Sequence, residues 1–471
     1  MTESASTTAG GHRGALATSL AALFGVTGLG SAAVAVVLPV IALDLDLTAG
    51  RAALVVSCYS LALAVGSAIF GRLGDLFGIR APLVIGVGLM VTAACVGALT
   101  QDLPTLVAAR TVQGLGAAAI PALTLAAIQS LFAGDGRAKA MATYAGVGAT
   151  VNALGPVIGA MLVEPLGWRP VVAIPVITLC VLPLVWADLP TQRQADATLD
   201  LPGATLIAVA ATGAVLALQP MTLGVTVAAA GVLALLVAGP TVVLRARRHP
   251  DGIVQAALIA VPDARRSLLT AMSLPAAWFG MLVAIPTVLV ADGWSGIQVG
   301  LLLLPCAALG ILAPRLTGPA LILLGPPRSQ FVGTLGTAVA IALAALGMRQ
   351  LHPVPLIAAT LVLMISFALA QPAMTVLVAD SVPVHTRGGA LGLMTLLFLL
   401  GGSLGAATVG GLGEQIGFGP ALLITAVLPL AAAAGFAGSL RAPQPAPPSS
   451  PPRIDQTMTD QPITDPSQEQ P

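Results

Sequence analysis

Long apolar runs alternate with short polar segments along most of the chain. A helix that crosses a lipid bilayer needs about 20 mostly apolar residues, and most of these runs reach that length. The pattern therefore predicts an all-α polytopic membrane protein with fourteen transmembrane spans. The spans are expected at residues 15–42, 50–71, 81–100, 104–131, 140–163, 169–188, 199–219, 221–244, 266–291, 296–316, 329–348, 353–379, 388–413 and 418–440.

The two halves of the chain repeat each other. The motif Pro-Ala-x-Thr occurs once in each half and is followed by an arginine, Arg137 in the first half and Arg387 in the second. A glycine lies eighteen residues beyond each arginine, at Gly155 and Gly405. Repeats that run in the same direction indicate two six-helix bundles related by an axis along the membrane normal, as in secondary carriers.

This repeat predicts the domain organisation, because two of the fourteen spans lie between the halves. The C-terminal segment is rich in Pro, Ser and Gln, a composition typical of disorder. The expected order is an N-terminal cytoplasmic tail (1–14), a six-helix bundle (15–190), an inserted transmembrane hairpin (199–244), a basic cytoplasmic loop (245–265), a second six-helix bundle (266–440) and a disordered cytoplasmic tail (441–471).

The composition excludes a water-soluble protein. Hydrophobic residues make up 57% of the chain and charged residues only 8%, whereas soluble domains have about 25% charged residues. The net charge of +1 gives no reason to expect a nucleic acid partner. Most Lys and Arg residues fall in loops on the side that the two termini share, and Arg51, Arg169 and Arg349 fall on the other. Basic loops stay in the cytoplasm, so both termini are expected inside the cell (inner) membrane.

No pattern in the sequence supports an enzyme. There is no nucleophile–base pair, no spacing of metal ligands and no phosphate-binding loop, and the four cysteines lie singly in apolar runs. We therefore expect neither a cofactor nor a metal. The expected partners are the lipid bilayer, protons and a small lipophilic substrate, and the chain is expected to be a monomer.

A charged loop, GRLGDLFGIRAPL, joins spans two and three. Gly71 and Gly78 permit a tight turn, and Asp75 is placed to pair with Arg72 or Arg80. Such a cluster can latch the two bundles together on the cytoplasmic side in one conformation and release them in another. A loop that only sets the topology through its positive charge explains the same residues equally well.

Span four contains an arginine, Arg110, inside its apolar run. An arginine at mid-helix costs about 2.5–3.5 kcal/mol by insertion scales, so we expect it beside a water-filled passage. Gln113 and Gly114 share its helical face, which predicts that Arg110 and Gln113 line the substrate cavity and serve coupling. The alternative is an arginine that snorkels to the outer surface. Tyr59 and Trp278 are further candidates for the cavity wall, with ordinary packing as the alternative.

Span five contains the segment GVGATVNALGPVIGAML. Pro156 lacks a backbone donor and leaves the carbonyl of Asn152 without its helical partner, which predicts a bend. Gly155 and Gly159 form a close-packing face. These residues predict a hinge between the bundles, with Asn152 facing the cavity, and tight packing of a kinked span is the alternative.

At these motifs the chain resembles the major facilitator superfamily, specifically its fourteen-span drug/proton antiporter branch of the multidrug-efflux type. The 71–83 loop is similar to the cytoplasmic signature of that family. The segment around Arg110 is similar to the span-four signature, whose arginine is implicated in proton coupling. Gly155-Pro156-x-x-Gly159 is similar to the span-five motif of exporters. The resemblance implies the major-facilitator fold, alternating access and proton antiport.

The sequence departs from that branch at Gly30, where an aspartate is common in span one. No Asp, Glu, Lys or His lies well inside a predicted span. An unpaired cation in a low-dielectric cavity is costly, so we predict export of a neutral or weakly acidic lipophilic molecule, such as an antibiotic, by proton antiport. The proton carrier stays open between Asp75 and the substrate itself. The alternatives are proton-linked uptake of a small metabolite and a carrier-fold sensor or scaffold that does not transport.

Overall fold

The computed structural model describes residues 2–132, 134–191, 201–248, 258, 261–382 and 387–436, and every regular element among them is helical. The first part of the chain forms α1 (Thr2–Val36), α2 (Leu38–Asp44), α3 (Ala49–Phe77), α4 (Arg80–Leu99), α5 (Leu103–Ala117), α6 (Ala119–Leu131), α7 (Gly134–Ala153), α8 (Gly155–Leu166), α9 (Arg169–Ala173) and, after a 3₁₀ turn, α10 (Thr178–Trp186). A central group consists of α11 (Leu201–Ala217), α12 (Pro220–Leu223) and α13 (Val225–Arg248). The last part forms α14 (Pro262–Ala291), α15 (Gly296–Gln350), α16 (Pro353–Asp380), α17 (Arg387–Ile416), α18 (Phe418–Thr425) and α19 (Val427–Phe436).

Twelve helical stretches in the described part of the chain are long and apolar enough to cross a membrane. They coincide with twelve of the fourteen predicted spans, which confirms a multi-pass membrane protein. The other two predicted positions hold shorter apolar helices, Thr205–Ala217 and Gly296–Cys306. The second of these belongs to α15, which continues to Gln350 through a kink at Gly325 (φ 73°). A count of fourteen spans therefore stays a prediction.

The structure describes the N-terminal segment fully as helix from residue 2, but only part of the central loop. Helix α1 begins at Thr2, so residues 2–14 of the predicted N-terminal tail (1–14) continue the first span as helix. Of the predicted basic loop 245–265, residues 249–257 and 259–260 lie outside the described residues. The predicted disordered tail 441–471 also lies outside them.

Helices α11 and α13 pack against each other as an antiparallel pair through two glycines. A Cβ atom added at Gly213 would lie 2.7 Å from the Gly231 carbonyl oxygen, and one at Gly231 would lie 2.8 Å from the Gly213 oxygen. The backbones touch because neither residue has a side chain. This pair lies beside α3 and α17, one helix from each predicted bundle.

The two predicted bundles are packed together at one end. We call this the joined end; Asp44, Thr100 and Glu164 of the first bundle and Ser295 and Glu414 of the second lie there. One continuous buried core at this end combines side chains from both bundles, among them those of residues 32–41, 52–56, 281–289 and 299–303. Burial of apolar surface between the bundles is what holds this end closed.

At the opposite end each bundle has a buried core of its own. The first bundle forms one from residues such as Leu20, Leu83 and Ile120, with Leu399 of α17 against its edge. The second forms another from residues such as Leu274 and Met374. Helix α1 shows the same change, because residues 29–36 are buried on every side, whereas residues 13–28 include many exposed or half-buried positions. The bundles therefore share a core over only part of their length.

Candidate functional site

Arg110 is enclosed in the first bundle, where α5 crosses α3. Its side chain is 1% exposed, and its Nε donates a hydrogen bond to the Val55 carbonyl oxygen at 3.2 Å. Its Nη1 donates to Gln113 Oε1 at 2.5 Å, and the Gln113 Nε2 group donates to the Val172 carbonyl oxygen at 3.3 Å. The charge is thus supported by two neutral oxygens, one from α3 and one from α5, and the Val172 carbonyl oxygen in turn holds the Gln113 side chain.

A close helix approach at Gly114 and an aromatic contact from Tyr59 create this enclosure. The backbone of Tyr59 lies directly over Gly114, where an added Cβ atom would be 3.0 Å from the Tyr59 Cα atom. Because α3 approaches so closely, the Arg110 guanidinium lies over the Tyr59 ring, 4.0 Å from its centroid. The face of the ring attracts a cation. Arg110 Nη2 has no hydrogen-bond partner among the described residues.

This geometry corrects the predicted placement of three candidates. The sequence predicts Arg110 and Gln113 beside a water-filled passage, with Tyr59 in its wall, but in this structure Arg110, Gln113 and Tyr59 are all buried within the first bundle. The physical reason is that Gly114 lets α3 approach α5 closely. Helix α3 then covers the arginine and provides the Val55 carbonyl oxygen and the Tyr59 ring as its acceptors. The proposed coupling role of Arg110 is not tested by this placement.

Span five is interrupted where its proline predicts a bend. Helix α7 ends at Ala153 and α8 begins at Gly155, so that Pro156 occupies the first turn of a new helix, where its missing N–H is tolerated. Cβ atoms added at Gly155 and Gly159 would lie 2.6 Å and 2.7 Å from backbone oxygens of α1. The close-packing face is therefore turned toward α1, and the hinge function stays a prediction.

Two candidates for the cavity wall lie near the middle of their spans. Asn152 is half-buried, and its amide lies against Gly28 of α1. Trp278 is half-buried in α14 and packs against the core that the two bundles share. Unlike Arg110, both retain the exposure that a group contacting a ligand needs.

The predicted 71–83 loop is mostly helical, because α3 runs to Phe77 and α4 begins at Arg80. Gly71 lies inside α3, and the tight turn is made at Gly78, whose φ is 80°. The charged residues of this segment lie away from the joined end and make two separate contacts. Asp75 Oδ2 accepts a hydrogen bond from Arg72 Nη1 at 2.9 Å. Arg80 donates instead to the Ala187 carbonyl oxygen at 2.9 Å and lies 5.2 Å from the Trp186 ring centroid. Of the two partners that the sequence allows for Asp75, the structure has Arg72, and Arg80 anchors the end of α10. A latch between the bundles stays a prediction.

A buried, uncharged polar network in the second bundle was not predicted from the sequence. The Ser267 hydroxyl donates to Gln330 Oε1, and Gln330 Nε2 donates to Thr270 Oγ1, both at 2.9 Å. The hydroxyls of Thr270 and Thr334 are 3.1 Å apart. The pairs Ser267/Thr270 and Gln330/Thr334 are spaced three and four residues apart on their helices, which is the sequence signal that could have revealed it.

A second unpredicted cluster lies at the joined end. Asp44 Oδ2 accepts hydrogen bonds from Trp168 Nε1 at 2.9 Å and Arg169 Nη1 at 3.0 Å. The hydrogen bond from Trp168, followed by the hydrogen bond and charge of Arg169, lowers the pKa of Asp44 below its ordinary value. Arg169 also donates to the Thr100 carbonyl oxygen at 3.4 Å, so the cluster ties three interhelical turns of the first bundle.

A small apolar cavity of about 210 Å³ lies between the bundles at the joined end. Leu38, Ala42 and Leu47 line it from the first bundle, and Thr287 and Val290 line it from α14. Within the described residues, no group of three His, Cys, Asp or Glu side chains could hold a metal ion.

The family comparison identifies the class of protein that has this arrangement. The model of the Major Facilitator Superfamily matches residues 20–321 and 267–466, which together cover most of the chain. The chain belongs to the Major Facilitator Superfamily. This membership makes it a membrane transporter.

Relatives in this superfamily include proteins named for efflux. The chain is 30% identical to the drug efflux pump JefA of Mycobacterium tuberculosis (strain CDC 1551 / Oshkosh) over 75% of its own length and 71% of the pump. It is 29% identical to the tetracenomycin C resistance and export protein of Streptomyces glaucescens, over 83% and 75% of the two chains. It is 28% identical to the uncharacterized transporter YebQ of Escherichia coli (strain K12), over 87% and 91%.

A solved structure is similar in fold alone. The crystal structure of an auto-inhibited POT family peptide transporter superposes with a TM-score of 0.63, covering 92% of this chain and 98% of that one. Sequence identity is 14%. The two-bundle architecture is therefore shared, and no inference about substrate follows from this likeness.

Proposed function

We propose that this transporter exports a neutral or weakly acidic lipophilic molecule in exchange for protons, by alternating access. The observation that carries the proposal is the uneven packing of the two bundles, which share a core at the joined end and have separate cores at the opposite end. A carrier that alternates must be able to part its halves at one end while they are closed at the other. The efflux and export functions named for two relatives support the direction of transport.

The electrostatics of the interior support the substrate class. Arg110 is the single charged side chain in the buried set of the described residues. A cationic substrate would meet no buried carboxylate there, and an uncompensated charge in a low-dielectric site is costly. Neutral or weakly acidic molecules avoid that cost, and an acidic group could accept the unpaired Arg110 N–H if the arginine becomes accessible after the bundles move.

The proposed topology places the joined end outside the cell. The basic residues Arg72, Arg80, Arg265 and Arg266 lie away from the joined end, and loops rich in Arg and Lys stay in the cytoplasm. With the 205–217 and 296–306 helices counted as spans, the chain crosses the membrane fourteen times and both termini are cytoplasmic. Helix α11 has 17 residues and a length of about 26 Å at 1.5 Å per residue, close to the bilayer core.

The proton needs a carrier other than Arg110, because a guanidinium keeps its proton in proteins. Asp75 is half-exposed beside Arg72, so its charge can be compensated in one conformation and lose its partner in another. The second possible carrier is a weakly acidic substrate. It releases its proton inside the cell and is exported as the anion, which is equivalent to exchanging the neutral acid for an entering proton. These two routes predict different behaviour of an Asp75→Asn variant.

Transport by purified protein in liposomes tests the proposal. Three fluorescent substrates of one scaffold, bearing no charge, a carboxylic acid or a quaternary amine, are loaded with and without an imposed pH gradient. Gradient-driven movement of the first two and not of the third is expected. Asp75→Asn abolishes the gradient dependence if Asp75 carries the proton, and Asp102→Asn, at the other end of the first bundle, is the matched control. Movement indifferent to the gradient, or preference for the cation, contradicts the proposal.

A further inference from the structure

Two glutamates at the joined end each accept a hydrogen bond from the opposite bundle. Glu164, in the last turn of α8, accepts a hydrogen bond from the backbone N–H of Ile297 in α15 at 3.1 Å. Glu414, near the end of α17, accepts one from the backbone N–H of Gly50 in α3 at 2.8 Å. Each carboxylate therefore belongs to one bundle and its donor to the other.

The donors are N–H groups that their own helices cannot satisfy. The first four N–H groups of a helix have no acceptor within it. Thr48 and Ser295 cap α3 and α15 by accepting from the third helical N–H, that of Arg51 at 3.3 Å and Gln298 at 3.2 Å. The second N–H of each helix is the one that receives the glutamate of the opposite bundle. A carboxylate at this place is also favoured by the helix dipole.

The two contacts obey the internal repeat of the chain. Glu164 lies nine residues after Gly155, and Glu414 lies nine residues after Gly405. Each is followed three residues later by a glycine with positive φ, 74° at Gly167 and 88° at Gly417, and then by an aromatic residue. Because both the glutamates and their donors occupy equivalent positions in the two halves, the arrangement is a reciprocal pair.

The helices that carry the two glutamates pack closely against the helices of the opposite bundle. A Cβ atom added at Gly50 would lie 2.8 Å from the Gly410 carbonyl oxygen, and one at Gly300 would lie 2.5 Å from the Ala160 Cβ atom. The α3–α17 seam is thus in backbone contact, and in the α8–α15 seam the backbone of Gly300 meets the Ala160 methyl group, so both seams are closely packed near the carboxylates. Parting the bundles at the joined end has to break both hydrogen bonds and return the helix N–H groups to water.

We infer that Glu164 and Glu414 are paired positioning residues that hold the joined end closed and so set the balance between the two access states of the transporter. This inference rests on the alternating access of the proposed function. Each glutamate acts through the helix N-terminus of the opposite bundle, so removing one should favour the state in which the joined end is open.

The reporter for this state is Ser57, which is fully buried in the α3–α17 seam, where its carbonyl oxygen accepts from the Ser403 hydroxyl at 2.8 Å. A Ser57→Cys reporter, nearly the same size as the native residue, is placed in a chain whose four natural cysteines are replaced by alanine. A membrane-impermeant maleimide then labels the reporter only when the joined end opens. Labelling after denaturation gives the total amount of protein and corrects for differences in folding yield.

Loss of one capping acceptor should raise the labelling rate about fivefold, and loss of both about twenty-five-fold, since the contacts are distant from each other. Glu164→Ala, Glu414→Ala and the double variant are compared with Glu→Gln variants, which keep an uncharged acceptor and should show a smaller rise. Asp102→Ala is the matched control. Asp102 accepts from the Thr105 N–H at 2.8 Å at the same end of the protein, but within the first bundle.

An unchanged rate in the double alanine variant, or an equal rise in Asp102→Ala, overturns the inference. The side from which the reagent acts separates this result from the proposed function. A rise in intact cells agrees with a joined end that faces outside, and a rise in inverted vesicles alone supports the lock but refutes the proposed orientation. The labelling requires no substrate, so its outcome is independent of which molecule is transported.

Discussion

The contact between α3 and α5 gives the sharpest prediction about stability, because the helices touch at Gly114, where there is no room for a side chain. In Gly114→Ala the new methyl group would lie 3.0 Å from the Tyr59 Cα atom and closer still to the Tyr59 carbonyl oxygen. Ordinary carbon–carbon contacts are about 3.5–4.0 Å, so the helices have to part or bend. Such overpacking costs about 1–3 kcal/mol. Parting the helices also stretches the hydrogen bond from Arg110 Nε to Val55, now 3.2 Å.

Gly88→Ala is the matched control for this substitution. Gly88 lies in the middle of α4, and a Cβ atom added there meets nothing within 4 Å. Alanine is favoured over glycine in a helix by about 0.5–1 kcal/mol, so this variant should be as stable as the native protein or more so. The two variants are therefore expected to differ by about 1.5–4 kcal/mol, in opposite directions from the native protein.

The assay is unfolding of the purified protein in mixed micelles with increasing SDS, followed by tryptophan fluorescence. Gly114→Ala should unfold at a lower SDS fraction than the native protein, and Gly88→Ala at an equal or higher one. Equal midpoints for the two variants would refute the close approach of α3 and α5, and with it the explanation for the burial of Arg110.

Two polar contacts give further predictions. Gln113→Leu removes the acceptor of Arg110 Nη1, and the same SDS assay should show a loss of about 1–3 kcal/mol, whereas an unchanged midpoint would contradict the buried contact. Because folding lowers the pKa of Asp44, its ionised form stabilises the protein fully above the ordinary value of 3.8, and this stability is lost as pH falls through the lower folded value. Asp44→Asn should therefore reduce the thermal midpoint at pH 7, and the difference from the native protein should shrink as the pH falls below 3.8; a difference that stays constant with pH argues against the cluster.

Features that depend on local composition could be predicted from the sequence. The apolar run at 81–100 corresponds to α4, Arg80–Leu99, because hydropathy and length decide what a bilayer accepts. The interruption before Pro156 could also be predicted, since a proline lacks its N–H wherever it stands. The count of fourteen spans depends on two further apolar helices, Thr205–Ala217 and Gly296–Cys306, whose apolar character could also be predicted from the sequence.

The surroundings of individual side chains could not be predicted in the same way. The free-energy cost of burying the Arg110 charge predicts a water-filled passage beside it. In the structure that cost is offset instead by contacts with Val55, Gln113 and the Tyr59 ring. Val55 and Tyr59 belong to another helix, α3. Which acceptor reaches an arginine depends on how closely two helices approach. Gly114 permits that approach, yet its presence in the sequence does not name the helix that uses it.

The sequence by itself determined the class of protein, the positions of most spans, the repeat of its halves and the family motifs, since each of these is written in composition or in fixed spacing. Only the tertiary structure decided that the bundles share a core at one end, that Arg110 is sealed, and that Glu164 and Glu414 serve the opposite bundle. The partners of those glutamates are 133 and 364 residues away along the chain. Contacts at such separations arise from the packing of whole helices, which no local pattern specifies.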